Sequence, residues 1–215
     1  MDSVRNGRGT RTLVARAVES KLAVGLGSYL PVPLELAQSF LLRDNERENR
    51  KDGWNRLRDA RESVRYQAVR GLVEKYVRHG FVLDVGCSQG ILQEGLTYGR
   101  YVGIDSYAEP ILRAAVKSDE RTAFHHADGS SYVPDQPPDA VVLNEVLYYL
   151  PKPLAVVSHY ANLLAPGGVL IVSVYFRAWA MRRLLRQISS RLQLVESSTV
   201  NNHSHLAWTV AVFRP

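Results

Sequence analysis

Hydrophobic and polar positions follow two different rhythms along this chain. Between residues 54 and 78, apolar side chains recur at helical spacing (Val64, Ala68, Val69, Leu72, Val73 and Tyr76), and Gly80 follows as a stop signal. Beyond it, short apolar runs near 81–86, 101–105, 122–126, 139–144 and 168–175 predict strands. The segments near 90–97, 109–118, 152–164 and 177–190 read as helices. Such alternation predicts an α/β fold, with a parallel sheet covered by helices on both faces. The tail breaks the pattern. Leu192 to Val200 and Ala207 to Phe213 are two strand-like runs joined by a polar loop, Asn201 to His205, and so predict an antiparallel hairpin. The expected sheet therefore has seven strands, mostly parallel. Ahead of it, Thr12 to Ala23 and Leu34 to Leu42 look helical, separated by a Gly25–Pro33 loop, and the polar residues 1–10 read as disordered. The division implied is an N-terminal helical extension over 1–60, a possible lid, and a main domain over 61–215.

Composition supports one domain. A chain of 215 residues with 46% hydrophobic content can bury a sizeable core. The net charge of +6 is unevenly placed: residues 1–78 hold 16 Lys and Arg against 10 Asp and Glu, whereas 79–215 hold 11 of each. Arg43 to Arg65 mixes both signs closely, which fits a solvated helix; a handle for nucleic acid is the alternative. Cys87 is the only cysteine, so no intrachain disulfide can form and a cytoplasmic setting fits. No cluster has metal-ligand spacing. The uncharged run Leu22 to Leu34 is interrupted by Pro31 and Pro33 and is too short to span a membrane. Arg5, Arg8, Arg11 and Arg16 precede it, so a targeting or membrane-surface segment is an alternative, which Glu19 and Lys21 weaken.

The chemistry concentrates at strand ends. Phe81-Val82-Leu83-Asp84-Val85-Gly86-Cys87-Ser88-Gln89-Gly90 reads as a buried strand running into a tight turn that opens a helix. Gly86 and Gly90 lack a Cβ and let a ligand approach bare backbone. A second strand, Tyr101-Val102-Gly103-Ile104-Asp105, ends in an acid able to accept hydrogen bonds from both hydroxyls of a ribose. Together they specify a pocket for an adenosine-containing cofactor. The spacing G-x-x-x-G differs from the G-x-G-x-x-G of dinucleotide sites, and Asp84 beside the turn suits an ammonium or sulfonium better than a pyrophosphate.

This segment resembles motif I of the class I S-adenosylmethionine (SAM)-dependent methyltransferases, and the resemblance extends over roughly residues 60 to 215. His126-Ala127-Asp128-Gly129 resembles the segment whose acid meets the adenine amino group. Asp139 to Leu147 resembles the fourth strand with its active-site end, and Leu163 to Val172 the turn into the fifth strand. The family often has a glycine where this chain has Ser88. The resemblance implies a Rossmann-like sheet closed by the terminal hairpin, SAM as cofactor and S-adenosylhomocysteine as product. It implies cofactor contacts at Arg65, Asp84, Gly86, Cys87, Gly90, Asp105, Ser106, Asp128, Gly129 and Asn144. Arg65 or Tyr66 would cap the cofactor carboxylate; Cys87 is read as a small packing residue of the turn.

Methyl transfer needs alignment and exclusion of water, and a base only when the acceptor must lose a proton. Glu145, Tyr148 and His203 are the catalytic candidates: an acid after the fourth strand, a wall of the acceptor pocket, and a loop imidazole. Tyr149, His125, His126 and His205 are read as packing or solvated residues, and Trp54 as a lid or a packed helix residue. The expected acceptor is a small molecule (a sugar, a lipid-like compound or another specialised metabolite). The segment Asn144 to Tyr149 lacks the Asn/Asp-Pro-Pro-Tyr/Phe signature of one nucleic-acid branch. An RNA or protein acceptor is the alternative, motivated by the basic extension, and a non-catalytic SAM-binding module is the third reading. The extension is open between lid, homodimer contact and membrane-surface anchor.

Overall fold

A computed structural model describes residues 57–58, 60–175, 179–203 and 206–215. The helices expected at 12–23 and 34–42, the Gly25–Pro33 loop, Trp54 and His205 lie outside the described residues. The element order is α1 (Ala60–Val77), β1 (Phe81–Val85), β2 (Arg100–Asp105), α2 (Ala108–Ala115), β3 (Thr122–His126), β4 (Ala140–Asn144), α3 (Pro153–Leu163), β5 (Val169–Tyr175), α4 (Trp179–Ser189), β6 (Gln193–Asn201) and β7 (Ala207–Arg214). These form one seven-stranded sheet in the order β3-β2-β1-β4-β5-β7-β6, with β1 to β5 parallel and β7 antiparallel to both neighbours.

Side-chain alternation along the strands splits the core into two layers. Leu83, Val85, Ile104, Val141, Leu143, Leu170, Val172 and Phe213 face α3 and α4, through Val157, Tyr160 and Leu184. Val82, Tyr101, Val142, Ile171, Val210 and Val212 face α1 and α2, through Val69, Val73, Ile111 and Ala114. Each fully buried Val or Leu contributes about 1.5–3 kcal/mol. Helix α1 is thus part of the domain's core. It is further tied to the edge strand β6 where Lys75 and the Tyr76 hydroxyl both donate to Glu196.

The expected strands match closely, but two expectations change. The helix predicted near 90–97 is absent; residues 88–95 form only turns. Gly90 and Gly95 take positive φ values of 67° and 77°, leaving four residues between them, too few for a stable helical segment. The helix predicted from Trp54 is α1, starting at Ala60, with only a short 3₁₀ turn at 57–58 described before it. The register also settles where the hairpin tip lies. Tyr175 at the end of β5 pairs with Trp208, and Asn201 pairs with Ala207. The β6–β7 tip therefore sits at the carboxyl end of the parallel strands, the end where ligands of such sheets bind. There Asn202 donates through Nδ2 to the Arg61 carbonyl at 2.7 Å, joining the tip to the start of α1.

Candidate active site

The turn after β1 is held by backbone from beneath. The N–H groups of Gly86 and Cys87 both donate to the Ile104 carbonyl, at 2.8 and 3.0 Å, and Gly90 N–H closes the turn onto Cys87 O at 2.9 Å. A Cβ on Gly90 would lie 2.6 Å from Phe124, and its φ is in the left-handed region, so glycine is required twice over. Ser88 has φ +49°, the conformation that the glycine it replaces would adopt freely. Its N–H donates to Asp105 Oδ2 at 2.9 Å, while Asp105 Oδ1 accepts from Tyr107 N–H at 3.0 Å. Burial pushes the Asp105 carboxyl up, against these N–H groups, which favour its charged form. The acid at the end of β2 thus clamps the turn as well as facing the crevice end. Ser106 follows, its carbonyl accepting from His126 Nε2 at 3.0 Å if that nitrogen is protonated.

Asp84 lies below the turn rather than at its surface. It is 2% exposed, and Tyr101 Oη donates to its Oδ2 at 2.5 Å. Burial pushes its carboxyl up to about 7, with Tyr101 partly opposing the shift. Cys87 is also buried, and its thiol is pushed well above its ordinary range by that burial and by Asp84 and Asp105. A thiol held protonated in this way fits a packing residue.

The ends of β4, β5 and β7 carry a second polar cluster. Arg65, from the buried face of α1, is 2% exposed and donates from Nη1 to Asn144 Oδ1 at 2.5 Å and from Nη2 to Glu62 Oε2 at 3.1 Å. Ser173 Oγ donates to the same Asn144 oxygen at 2.9 Å. The guanidinium stacks at 4.4 Å over Tyr66 and lies 5.8 Å from the Trp208 ring. Burial works against its charge, but Tyr66, Glu145 and Glu62 together hold its pKa above the usual value. Beside it Glu145 has φ +60°, a conformation that costs a non-glycine residue about 1–2 kcal/mol. Burial pushes its carboxyl up to about 7, opposed by Arg65, Tyr148 and Trp208. Tyr148 is itself buried, and its hydroxyl accepts from Tyr175 N–H at 2.9 Å, leaving its own proton for Glu145.

Among the described residues, three buried side-chain polar atoms lack a hydrogen-bond partner: Arg65 Nε, Ser88 Oγ and Glu145 Oε1. Leaving such an atom unpaired costs about 1–3 kcal/mol. Ser88 lies in the turn after β1 and Glu145 follows β4, both at the carboxyl end of the sheet, and Arg65 reaches Asn144 at the end of β4 from α1. The three atoms are a donor, a hydroxyl and an acceptor.

The remaining candidates sit at the margin. Asp128 is exposed beyond β3, and its carboxylate accepts from Ser130 N–H and Ser130 Oγ, both at 2.8 Å. These bonds hold its pKa below the ordinary range. Gly129 is buried behind it, its carbonyl accepting from Tyr160 Oη at 2.8 Å. His203 is exposed on the hairpin tip, at the crevice end of the sheet. Sequence reasoning missed Ser173, Trp208, Glu62 and Tyr101. A lone hydroxyl inside the apolar run 169–175 was the available signal for Ser173, and the i,i+3 spacing to Arg65 on one helix was the signal for Glu62; Trp208 and Tyr101 are set by longer-range packing.

Comparison with known proteins points the same way. The model of a family described as "Methyltransferase domain" matches residues 54–210. The chain is 34% identical over 110 residues to a ubiquinone biosynthesis O-methyltransferase of Sodalis glossinidius, covering 46% of this chain and 44% of that protein. It is 30% identical over 113 residues to a trans-aconitate 2-methyltransferase of Methylobacterium radiotolerans, covering 50% and 43% respectively. The match thus spans less than half the length of either relative. In fold, the N-methyltransferase NodS of Bradyrhizobium japonicum, solved with S-adenosylhomocysteine, superposes with a TM-score of 0.66 at 23% identity, covering 74% of this chain and 90% of that one.

Proposed function

We propose that this chain, which belongs to the class I SAM-dependent methyltransferases, moves the methyl group of SAM to a hydroxyl of a small molecule. The observation that supports this reading is the trio of unpaired buried atoms on Arg65, Ser88 and Glu145, a donor, a hydroxyl and an acceptor that a bound cofactor and methyl acceptor would pair. When bound, SAM supplies an electrophilic methyl on a sulfonium that leaves as a neutral thioether. The rest falls to the protein. The Gly86–Gly90 turn and Ser88 present backbone and a hydroxyl, Asp105 accepts from ribose hydroxyls, and Arg65 Nε donates to the cofactor's carboxylate. Asp128 offers its carboxylate to the adenine edge. Asp84, beneath the turn, acts on the cofactor's ammonium through the field of its charge rather than by direct contact.

Glu145 is the base. Its Oε1 is free to accept the acceptor's proton, while Tyr148 and Trp208 bear on the same carboxyl. A carboxyl poised near 7 is matched to that task at neutral pH. It also disfavours an anionic acceptor, whose charge it would repel. A hydroxyl that must be deprotonated is therefore the preferred group, as the name of the ubiquinone-pathway relative also suggests.

Calorimetric titration with S-adenosylhomocysteine tests the reading. Wild type is expected to bind in the micromolar range, and Asp105→Ala to lose about 100-fold, since the acid makes charge-assisted bonds worth about 1.5–3 kcal/mol each. A well-folded wild type that gives no heat of binding at millimolar ligand would sink it.

A further inference from the structure

Where the sequence predicts a helix after the glycine turn, four successive carbonyls, those of Gln89, Gly90, Ile91 and Leu92, accept hydrogen bonds from side chains outside the segment. Two cations from separate elements take them. Lys117, just past α2, donates from Nζ to Gln89 O at 2.5 Å and to Gly90 O at 3.1 Å. Arg70, on α1, donates from Nη2 to Ile91 O at 2.5 Å and from Nε to Leu92 O at 3.0 Å. Neither contact is incidental to a solvated side chain. The Lys117 side chain is only 20% exposed, and it also donates to Glu94 at 2.8 Å. Glu94 in turn accepts a two-point bond from Arg58, at 2.8 and 3.1 Å, so its carboxyl lies well below its ordinary range. The clamp therefore reaches from the chain entering α1, across the turn, to the end of α2.

We propose that Lys117 and Arg70 are positioning residues of the cofactor site: by gripping the carbonyls of residues 89–92 they hold the turn in the one conformation that presents Ser88 and the glycine backbone to the ligand. The proposal rests on the reading of this crevice as the SAM site. A helix would fix the same backbone through its own hydrogen bonds. Here the fixing is exported to side chains on α1 and behind α2, so cofactor affinity depends on two residues that do not touch the cofactor. Each carbonyl bond to a charged donor is strong enough for its loss to free the segment locally while the sheet stays intact.

The test uses the full chain with Lys117→Met, Lys117→Arg, Arg70→Met and Arg70→Lys, and two readouts. The first is amide hydrogen exchange without ligand. Lys117→Met and Arg70→Met should each speed exchange over residues 88–95 by about tenfold, with the amides of β4 and β5 unchanged. The second is S-adenosylhomocysteine binding. Both Met variants should weaken it about tenfold or more, and Lys117→Arg and Arg70→Lys should restore it to within about threefold of wild type. Unchanged exchange over 88–95 in both Met variants would overturn the clamp. Faster exchange with unaltered binding would overturn its role in the site. A wild type that binds no S-adenosylhomocysteine would overturn the role as well and bring down the functional reading with it, while the exchange readout would still decide on the clamp.

Discussion

On the β1–β2 side of the crevice, the hydrogen bonds to Ile104 O, Asp105 and carbonyls 89–92 each have a main-chain group at one end at least. Ile104 O takes two N–H groups of the turn, Asp105 takes two more, and carbonyls 89–92 are each claimed by a cation. On the β4–β5–β7 side the bonds run between side chains instead. Arg65, Asn144, Ser173, Glu62, Tyr148 and Trp208 converge around Glu145, whose backbone is strained and whose free oxygen is one of the two unpaired atoms there. The difference matches the two tasks. On the proposed cofactor side the turn offers backbone, so substitution acts there through the residues that hold that backbone in place. On the proposed acceptor side the contacts run between side chains, each replaceable alone. Each side carries one non-glycine residue at positive φ, Ser88 on the first and Glu145 on the second, and each carries unpaired polarity, at Ser88 on the first and at Glu145 with Arg65 on the second.

Gly86 joins the two sides, and changing it should have the largest effect. A Cβ there would lie 2.4 Å from Val146 Cγ2, next to Glu145, and φ +76° adds backbone strain. Gly86→Ala is expected to lose about 2 kcal/mol or more in urea unfolding and to abolish S-adenosylhomocysteine binding. Retention of both would mean that the two sides are independent. Glu145→Gln should separate them. Methyl transfer from radiolabelled SAM to the best acceptor in a panel of hydroxyl compounds should fall about 10²–10³-fold, with cofactor binding within about threefold of wild type. An equal loss of both would place Glu145 on the cofactor side.

The smallest effect is thermodynamic. Burial lifts Glu145 from 4.5 and Asp84 from 3.8, each to about 7, so the folded state keeps their protons longer than the unfolded chain does. Their contribution to stability is present at low pH and is lost as pH climbs from about 4 to about 7. Thermal melts between pH 5 and 8 should therefore show Tm falling, and Glu145→Gln should flatten part of the fall. A slope identical to wild type would mean that Glu145 titrates normally.

Much of this was legible in the sequence because strand patterning and the glycine turn are local signals. The runs at 81–86 and 122–126 lie within a residue of β1 and β3, and the acids at 84, 105 and 145 all sit at the carboxyl end of the sheet. What was hidden depends on distance along the chain. Nothing near Asp84 announces that Tyr101 will cover it, and nothing near Asn144 announces Arg65, 79 residues earlier. The absent helix at 90–97 is explained locally: the glycine turn was expected to open a helix, and the glycines at 90 and 95, both at positive φ, prevent it. Once that helix is gone, Arg70 and Lys117 acquire their role, which no pattern in their own neighbourhood could reveal.

The strand order also dictates a timetable. Strand β7 is threaded between β5 and β6, yet it is the last of the seven to leave the ribosome. Until it emerges, β5 presents an open edge and β6 has no neighbour to lie against. Because Trp208 lies on β7, the wall around Arg65 and Glu145 stays incomplete for the same interval. A nascent chain could thus assemble its glycine turn early and still lack the Trp208 side of the Arg65–Glu145 cluster, so the proposed competence for catalysis would arrive with the last of the seven strands rather than grow gradually during synthesis.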